Sequence, residues 1–303
     1  MRELGQPYVR YRQFTTPDPQ FGKRHGEYLY FTKRYNAESS ITGAILGEDD
    51  PIPRIRVRFG QGTLQVFECG EAHKWNEATD SRSEFDVKDQ LIRSLSNSMA
   101  LNLDRRAYDE GFNQSDVIFV PTGDIDTPDH QWAVNGTIPT TATRPVMVRD
   151  IKYIVSAFKS GRYGSNYGTP PVPCEPYDGD NYVACVAVEA SHKITDDPAW
   201  ENPNLYGNPQ AFFDGETGKI WKARIIEDNH IAGLLNGQGG EMTVFGKDPV
   251  IEAVVTAEEI RESLPDDFGR SNAVAWYAHT GFANNLDYSS DRGANSIVRV
   301  RSL

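Results

Sequence analysis

The stretch SRSEFDVKDQLIRSLSNSMALNLDRRAYDEG, Ser81 to Gly111, decides how the rest of the chain is read. Phe85, Ile92, Leu95, Met99, Leu103 and Ala107 recur at about 100° per residue, the period that turns one face of a helix toward a core. Ser81 followed by Glu84 fits a capping box, Asp89 and Arg93 stand at i,i+4, and Gly111 can close the end in the left-handed region. A single helix over these residues would be ~45 Å long at ~1.5 Å per residue, against ~11–12 residues for an average globular helix. Val87 and Leu101 fall near the back of the stripe. They read either as scattered surface apolar residues or as a second contact made inside an assembly.

Upstream of the helix the pattern is strand-like. Glu27 to Tyr35, EYLYFTKRY, is aromatic and β-rich, and Arg54 to Phe59 alternates strictly, with Arg54, Arg56 and Arg58 on one face and Ile55, Val57 and Phe59 on the other. Between them Gly43, Gly47, Glu48, Asp49, Asp50, Pro51 and Pro53 read as a long hairpin tip, and the strand resumes after Gly60 and Gly62 as TLQVFEC. Three arginines on one strand face repel one another unless acids lie opposite. Glu48, Asp49 and Asp50 of the same tip could supply them, at little gain in an exposed setting, or an acidic patch of a neighbouring copy could. These six residues are the candidate intersubunit contacts.

Residues 1 to 27 hold Pro7, Pro17 and Pro19, the aromatics Tyr8, Tyr11, Phe14 and Phe21, and several basic residues with few acids. A terminus is disordered by default, yet a disordered tail is poor in aromatics, so an extended arm docked on another surface is the competing reading.

Downstream, Val117 to Val120 is a short strand, followed to Arg144 by more than twenty Pro-, Gly-, Thr- and Asp-rich residues read as one long loop, with His130 and Trp132 as packing residues. Pro145 opens a helix with Met147, Ile151, Ile154, Val155 and Phe158 on one face and Gly161 at its end. Gly161 to Asn181 is irregular. Tyr182 to Val188, YVACVAV, lacks polar alternation and so predicts a strand buried on both faces. FFDGETGKIWKARIIED predicts a turn at Asp214 to Gly218 and a strand through Ile220 to Ile226.

The 303 residues carry 43 acidic and 31 basic side chains, a net charge of −12, which argues against general affinity for nucleic acid or an anionic membrane. Three cysteines, Cys69, Cys174 and Cys185, show neither disulfide nor zinc spacing. No apolar run approaches the ~20 residues of a membrane span and no signal-peptide core opens the chain, so a soluble, non-exported protein is expected. The chain lacks GxSxG, HExxH, a Walker loop and GxGxxG, and its six histidines show no metal-ligand spacing, so no catalytic, cofactor or metal site is assigned. The remote alternative is a carbohydrate-active β-rich enzyme using Glu175, Asp196 and Asp197, although adjacent aspartates also read as a helix start or a solvated turn.

The order YVACVAVEASHKITDDPAWENPN, FFDGETGKIWKARIIED, VFGKDPVIEAVV and AWYAHTGF resembles the coat proteins of tailed double-stranded DNA bacteriophages. More narrowly it resembles the N-four-like branch of major capsid proteins. The resemblance extends upstream through strand, acidic tip, strand and long helix, and covers nearly the whole chain. It implies an α+β Hong Kong 97-type capsid fold, with an N-terminal arm at 1–27 and an extended β-hairpin loop at 28–80. A peripheral domain with the spine helix would occupy 81–149 and an axial domain 150–247. Residues 248–303, including AVAWYAHTGF and SIVRVRSL, would return to the peripheral sheet.

The function implied is a major capsid protein that self-assembles as pentamers and hexamers into an icosahedral shell around double-stranded DNA, bound without sequence specificity. The shell would reside in the virion and assemble in the host cytoplasm. A nanocompartment or gene-transfer particle is the alternative load. The resemblance also implies a separate scaffolding protein and a portal protein as partners, leaves a decoration protein open, and implies no membrane partner and no cofactor. Arg10, Arg12, Lys23 and Arg24 would face inward toward the DNA.

Overall fold

The structure is a computed structural model. It describes residues 8–18, 26–34, 52, 59–137, 141–164, 172–200, 216–230, 242–264, 270–287 and 293–303.

A 3-10 turn at Arg12–Phe14 leads into β1 (Thr15–Pro17), followed by β2 (Tyr28–Arg34), β3 (Phe59–Gln65) and β4 (Phe67–Asn76). Two helices come next, α1 (Glu77–Arg82) and α2 (Val87–Arg106), and α2 runs on through a π turn at Ala107–Gly111 and a 3-10 turn at Phe112–Gln114. The next elements are β5 (Ile118–Gly123), β6 (Pro128–Ala133), α3 (Val148–Ser160), β7 (Tyr182–Ala187) and α4 (Val188–Thr195). β8 (Glu216–Ile220), β9 (Ala223–Asp228), β10 (Met242–Phe245), β11 (Val250–Glu262), β12 (Ser271–Asn284) and β13 (Ile297–Val300) complete the chain.

The expected rod is therefore two helices. Ser81 and Glu84 do not cap it. Asp86 does, accepting the Asp89 N–H at 3.1 Å, and this cap starts α2 five residues after the predicted start at Ser81. Phe85 is left outside α2 and 49 % exposed. Gly111 is not left-handed, with φ −109. Its role is close approach, since a Cβ there would lie 2.6 Å from Val250 Cγ1.

Leu95 packs on Val274, Trp276 and Ala278 of β12, with Leu91, Ile92 and Met99 beside it. These β12 residues share one face of a four-stranded sheet of order β1-β11-β12-β4, in which only the β1-β11 pair is parallel. The opposite face carries the β2-β3 ribbon through Leu29, Leu64 and Val66 against Ala253, Ile251 and Val255. The sheet is thus sandwiched between helix and ribbon. At Gly281 a Cβ would stand 2.2 Å from the Gln65 carbonyl oxygen, so the ribbon lies directly on the β12 backbone.

A second sheet has seven strands in the order β6-β5-β13-β10-β7-β9-β8. β7 is interior and every residue in it is buried, as its unbroken apolar run predicts. One face is covered by α3 and α4 through Ile151, Ile154, Phe158, Ala190 and Ile194. The predicted end of α3 is observed, with Gly161 closing the helix at φ 66, and so is its face from Ile151 to Phe158, but the helix starts at Val148 and not at Pro145, with Met147 as its N-cap. Three sequence expectations are corrected here. The long loop after β5 contains the edge strand β6, whose polar composition and leading proline hid it. Of the turn expected at Asp214 to Gly218, residues 214–215 lie outside the described residues and the remainder is strand, Glu216–Ile220, while the chain turns at Trp221 and Lys222, with φ 48 and 67. SIVRVRSL does not return to the sheet under α2: β13 pairs with β10 and β5.

The two sheets meet over a third cluster. Val183 and Cys185 of β7, Ile226 and Phe245 face Ala107, Tyr108 and Phe112 at the end of the spine helix, with Val250 and Phe282 from the other sheet. Tyr11 and Phe14 of the arm fill its centre. Tyr11 is fully buried and edges onto Tyr108 and Phe112 at 4.8 and 5.2 Å. The described part of the arm is therefore ordered through Tyr11 and Phe14. It is docked on its own chain.

Candidate assembly interface

The described surface is unevenly covered, and its bare parts are contiguous elements. β2 and β3 form a two-stranded ribbon, marginal in isolation. Strand alternation divides its side chains cleanly. Leu29 and Leu64 are buried against β11, and Phe31 lies across Gly62, where a Cβ would sit 2.3 Å from its Cζ. The other face presents Tyr28, Tyr30 and Phe59, which are 45 %, 60 % and 65 % exposed, beside Gln61 and Thr63. An aromatic face this bare, on an element too thin to have its own core, is the kind of surface that a second protein covers.

β4 continues the same character. It is a ten-residue strand with no buried residue, paired to β12 alone among the described residues, and such an edge exposes a row of backbone donors and acceptors. α2 spans ~30 Å, yet of its 20 residues Val87, Leu95, Leu103 and Asp104 are the buried ones. Its end is fixed to the sheet by Arg106, which pairs with Glu110 at 2.9 Å and donates to the Thr280 carbonyl at 3.1 Å and to Cys69 Sγ at 3.1 Å. Lys88 pairs with Glu262 at 2.7 Å near the other end, and most of the residues between are half-buried.

Of the candidate contact residues, Arg54, Arg56, Arg58, Glu48, Asp49 and Asp50 lie outside the described residues, as do Lys23 and Arg24. Arg12 is described, and its guanidinium is held within its own chain. It contacts Glu252 at 3.0 Å and Glu258 at 2.8 Å, while Thr15 Oγ1 donates to the second Glu252 oxygen at 2.7 Å. The Glu258 carboxyl is held below its ordinary range, foremost by the Arg12 hydrogen bond. Arg10 is half-buried with its guanidinium 4.8 Å from the Tyr8 ring centroid. Asp104 was missed by the sequence reading, although a lone carboxylate flanking an apolar stripe is a visible irregularity.

The residues of the enzymatic alternative have structural uses. Asp197 accepts the Ala199 N–H at 2.9 Å and the Val148 N–H at the start of α3 at 3.1 Å. The Asp196 N–H donates to the His192 carbonyl at the end of α4, and Glu175 pairs with Lys247 at 3.1 Å. His130 is stacked between Phe119 and Tyr153, and burial lowers its pKa. Among the described residues no three His, Cys, Asp or Glu side chains are grouped to hold a metal, and no helix is long and apolar enough to cross a membrane. A shallow cavity of about 410 Å³ between α3 and the β8-β9 turn is lined by Lys152, Val155, Lys159, Trp221 and Lys222. Two of its three cations have partners already: Lys222 pairs with Asp180, and Lys152 Nζ lies 4.3 Å from the Trp221 ring centroid.

Neither a protein-family model nor a curated protein matches the chain. Solved structures do. The capsid structure of Helicobacter pylori bacteriophage KHP30 superposes with a TM-score of 0.72 at 10% identity, over 100% of this chain and 94% of that one. The capsid of Ralstonia phage GP4 gives 0.67 at 12% identity over 99% and 94%, and that of cyanophage Pam1 gives 0.65 at 15% over 99% and 94%. Strand ribbon, spine helix and two sheets, in an order that superposes along the full length, give this chain the α+β Hong Kong 97-type fold of tailed-phage capsid proteins.

Proposed function

We propose that the chain is the major capsid protein of a tailed bacteriophage, a structural subunit that assembles with copies of itself, as pentamers and hexamers, into an icosahedral shell enclosing double-stranded DNA. The observation that carries the proposal is the bare aromatic face of the β2-β3 ribbon, continuous in sequence with the uncovered edge strand β4. Surfaces of this kind are completed by neighbours, and obligate contacts typically bury ~2,000–5,000 Å². The full-length likeness to capsid proteins supports the same reading. A shell role asks no catalysis and no cofactor of the chain.

On this reading the axial domain is the body around the seven-stranded sheet, which takes β5, β6 and β13 from the stretches 81–149 and 248–303 expected to be peripheral, and the peripheral domain is the body around α2 and the four-stranded sheet. Arg54, Arg56 and Arg58 meet acids of an adjacent copy, with Glu48, Asp49 and Asp50 at the same tip. Of the four basic arm residues Arg10, Arg12, Lys23 and Arg24, Lys23 and Arg24 are left to face the DNA, because Arg12 is occupied by Glu252 and Glu258 and Arg10 is half-buried with its guanidinium over the Tyr8 ring. A separate scaffolding protein, a portal protein and a decoration protein are the proposed partners, assembly in the host cytoplasm the proposed setting, and the virion the final location.

Two changes test the reading. Deleting Glu38 to Asp50 removes the tip, and Tyr30→Asp with Phe59→Ser makes the bare ribbon face polar. Each is expected to leave a folded subunit whose shells fail to form or form poorly, as seen by sedimentation and electron microscopy. Parental yields of stable shells from both would overturn the role given to the ribbon.

A further inference from the structure

The spine helix buries one charged side chain, Asp104, beneath the docked arm. Its Oδ1 accepts the Arg12 N–H at 2.9 Å, and the backbone N–H groups of Arg10 and Tyr11 face the same carboxylate and favour its charged form. Oδ2 is buried and has no hydrogen-bond partner among the described residues. The surroundings come from every element at this junction. The arm contributes the Arg10 and Arg12 cations and the Tyr11 phenol, and β7 the Cys185 thiol. β9 contributes Asp228, which accepts the His230 N–H at 3.2 Å, while Tyr108 stands beside Tyr11 and Arg105 near His230.

We propose that Asp104 is a proton-operated latch between the arm and the spine helix, closed when Oδ2 carries a proton and weakened when it does not. The three amides can serve both states, because Oδ1 remains an acceptor whether or not Oδ2 is protonated. The charge is what the site resists. Burial first, and then Asp228, push the carboxyl up from 3.8 to about 6, against the lowering effect of the amides. Opening the arm rehydrates Asp104 and returns it toward its ordinary value. The docked form therefore binds the proton more tightly. Its advantage is full below the ordinary carboxylate value and is lost as pH rises through about 6.

Between pH 5 and pH 8 this linkage changes the docking equilibrium by about tenfold. The window has a lower bound, because Glu258, whose carboxyl is held below its ordinary range by Arg12, grips Arg12 from the other side and its protonation at more acidic pH would loosen that grip. Apart from Asp104 and Arg12, the arm is held by Tyr11, Phe14, the Tyr8 N–H on Asn229 Oδ1 at 2.7 Å, the Thr16 hydroxyl on Asp248 at 3.0 Å and the three-residue edge strand β1, so it can open by releasing one edge strand while the rest of both sheets stays paired. The latch rests on contacts inside one subunit and is independent of the shell reading.

Hydrogen exchange of the full-length protein from pH 5 to pH 8, corrected for the intrinsic rate at each pH, reads the latch directly. Protection of a peptide covering Tyr8 to Asp18 is expected to fall about tenfold over that range, while β7 peptides stay constant. Asp104→Asn keeps the acceptor and cannot ionise, and it should make arm protection independent of pH. Should that variant misfold, Asp228→Asn is expected to move the wild-type midpoint to lower pH. Flat or rising arm protection in the wild type, a pH slope retained in Asp104→Asn, or an unmoved midpoint in Asp228→Asn would each overturn the latch.

Discussion

Replacing Gly281 by alanine should unseat the ribbon while leaving both sheets intact. The added Cβ would lie 2.2 Å from the Gln65 carbonyl oxygen and 2.8 Å from Leu64 Cδ2. A carbon and an oxygen rest at ~3.3 Å or more, so β3 must rise from β12 by about 1 Å. The obstacle is backbone and cannot rotate away. Overpacking of this kind costs ~1–3 kcal/mol, and partial exposure of Leu64 and Leu29, now 2 % and 8 % exposed, adds about 1 kcal/mol. A destabilisation of about 2–4 kcal/mol is therefore expected in urea unfolding. The larger signature should be in assembly, because the ribbon's exposed face would meet a neighbour at the wrong height. A variant as stable as the parent and equally able to assemble would refute the claim that the ribbon's seat on β12 sets its position.

Two further outcomes follow from buried charge. Arg144 and Asp150 form a two-pronged pair at 2.6 and 2.7 Å with side chains almost fully buried, and Asp150 also accepts the Met147 N–H at the start of α3. Asp150→Asn leaves the guanidinium without its counter-charge, and calorimetry should show a loss of ~3–5 kcal/mol. Arg12→Met removes the cation from Glu252 and Glu258 and should cost about 2–3 kcal/mol. The pH dependence carries a sign. The Glu258 carboxyl is lowered when folded, so its contribution is present above its ordinary value and lost as pH falls through the lowered one. The acid side of the stability profile should therefore flatten in Arg12→Met.

What could be read in the sequence was local. The apolar face of α3 and its closing Gly161 lie within one segment, and the all-apolar run of β7 marks an interior strand without knowledge of its neighbours. The break in the spine helix turned on a choice between two N-caps five residues apart, Ser81 and Asp86, which pattern alone does not decide. The β8-β9 turn uses Trp221 and Lys222 in the left-handed region, where a glycine was expected, and the glycine at 218 drew the prediction away. The docking of the arm was hidden for a different reason. Arg12 meets Asp104 across 92 residues and Glu252 across 240, and no periodicity reports such a contact. Once those contacts form, burying Tyr11 and Phe14 outweighs leaving the arm free.

The central claim is that this subunit is completed by copies of itself. Electron microscopy of the purified full-length protein, with sedimentation at several concentrations, tests it most directly. The account predicts closed icosahedral particles, or capsomers that convert to them as concentration rises. A single species of one subunit's mass, unchanged at every concentration and never forming particles, would contradict it.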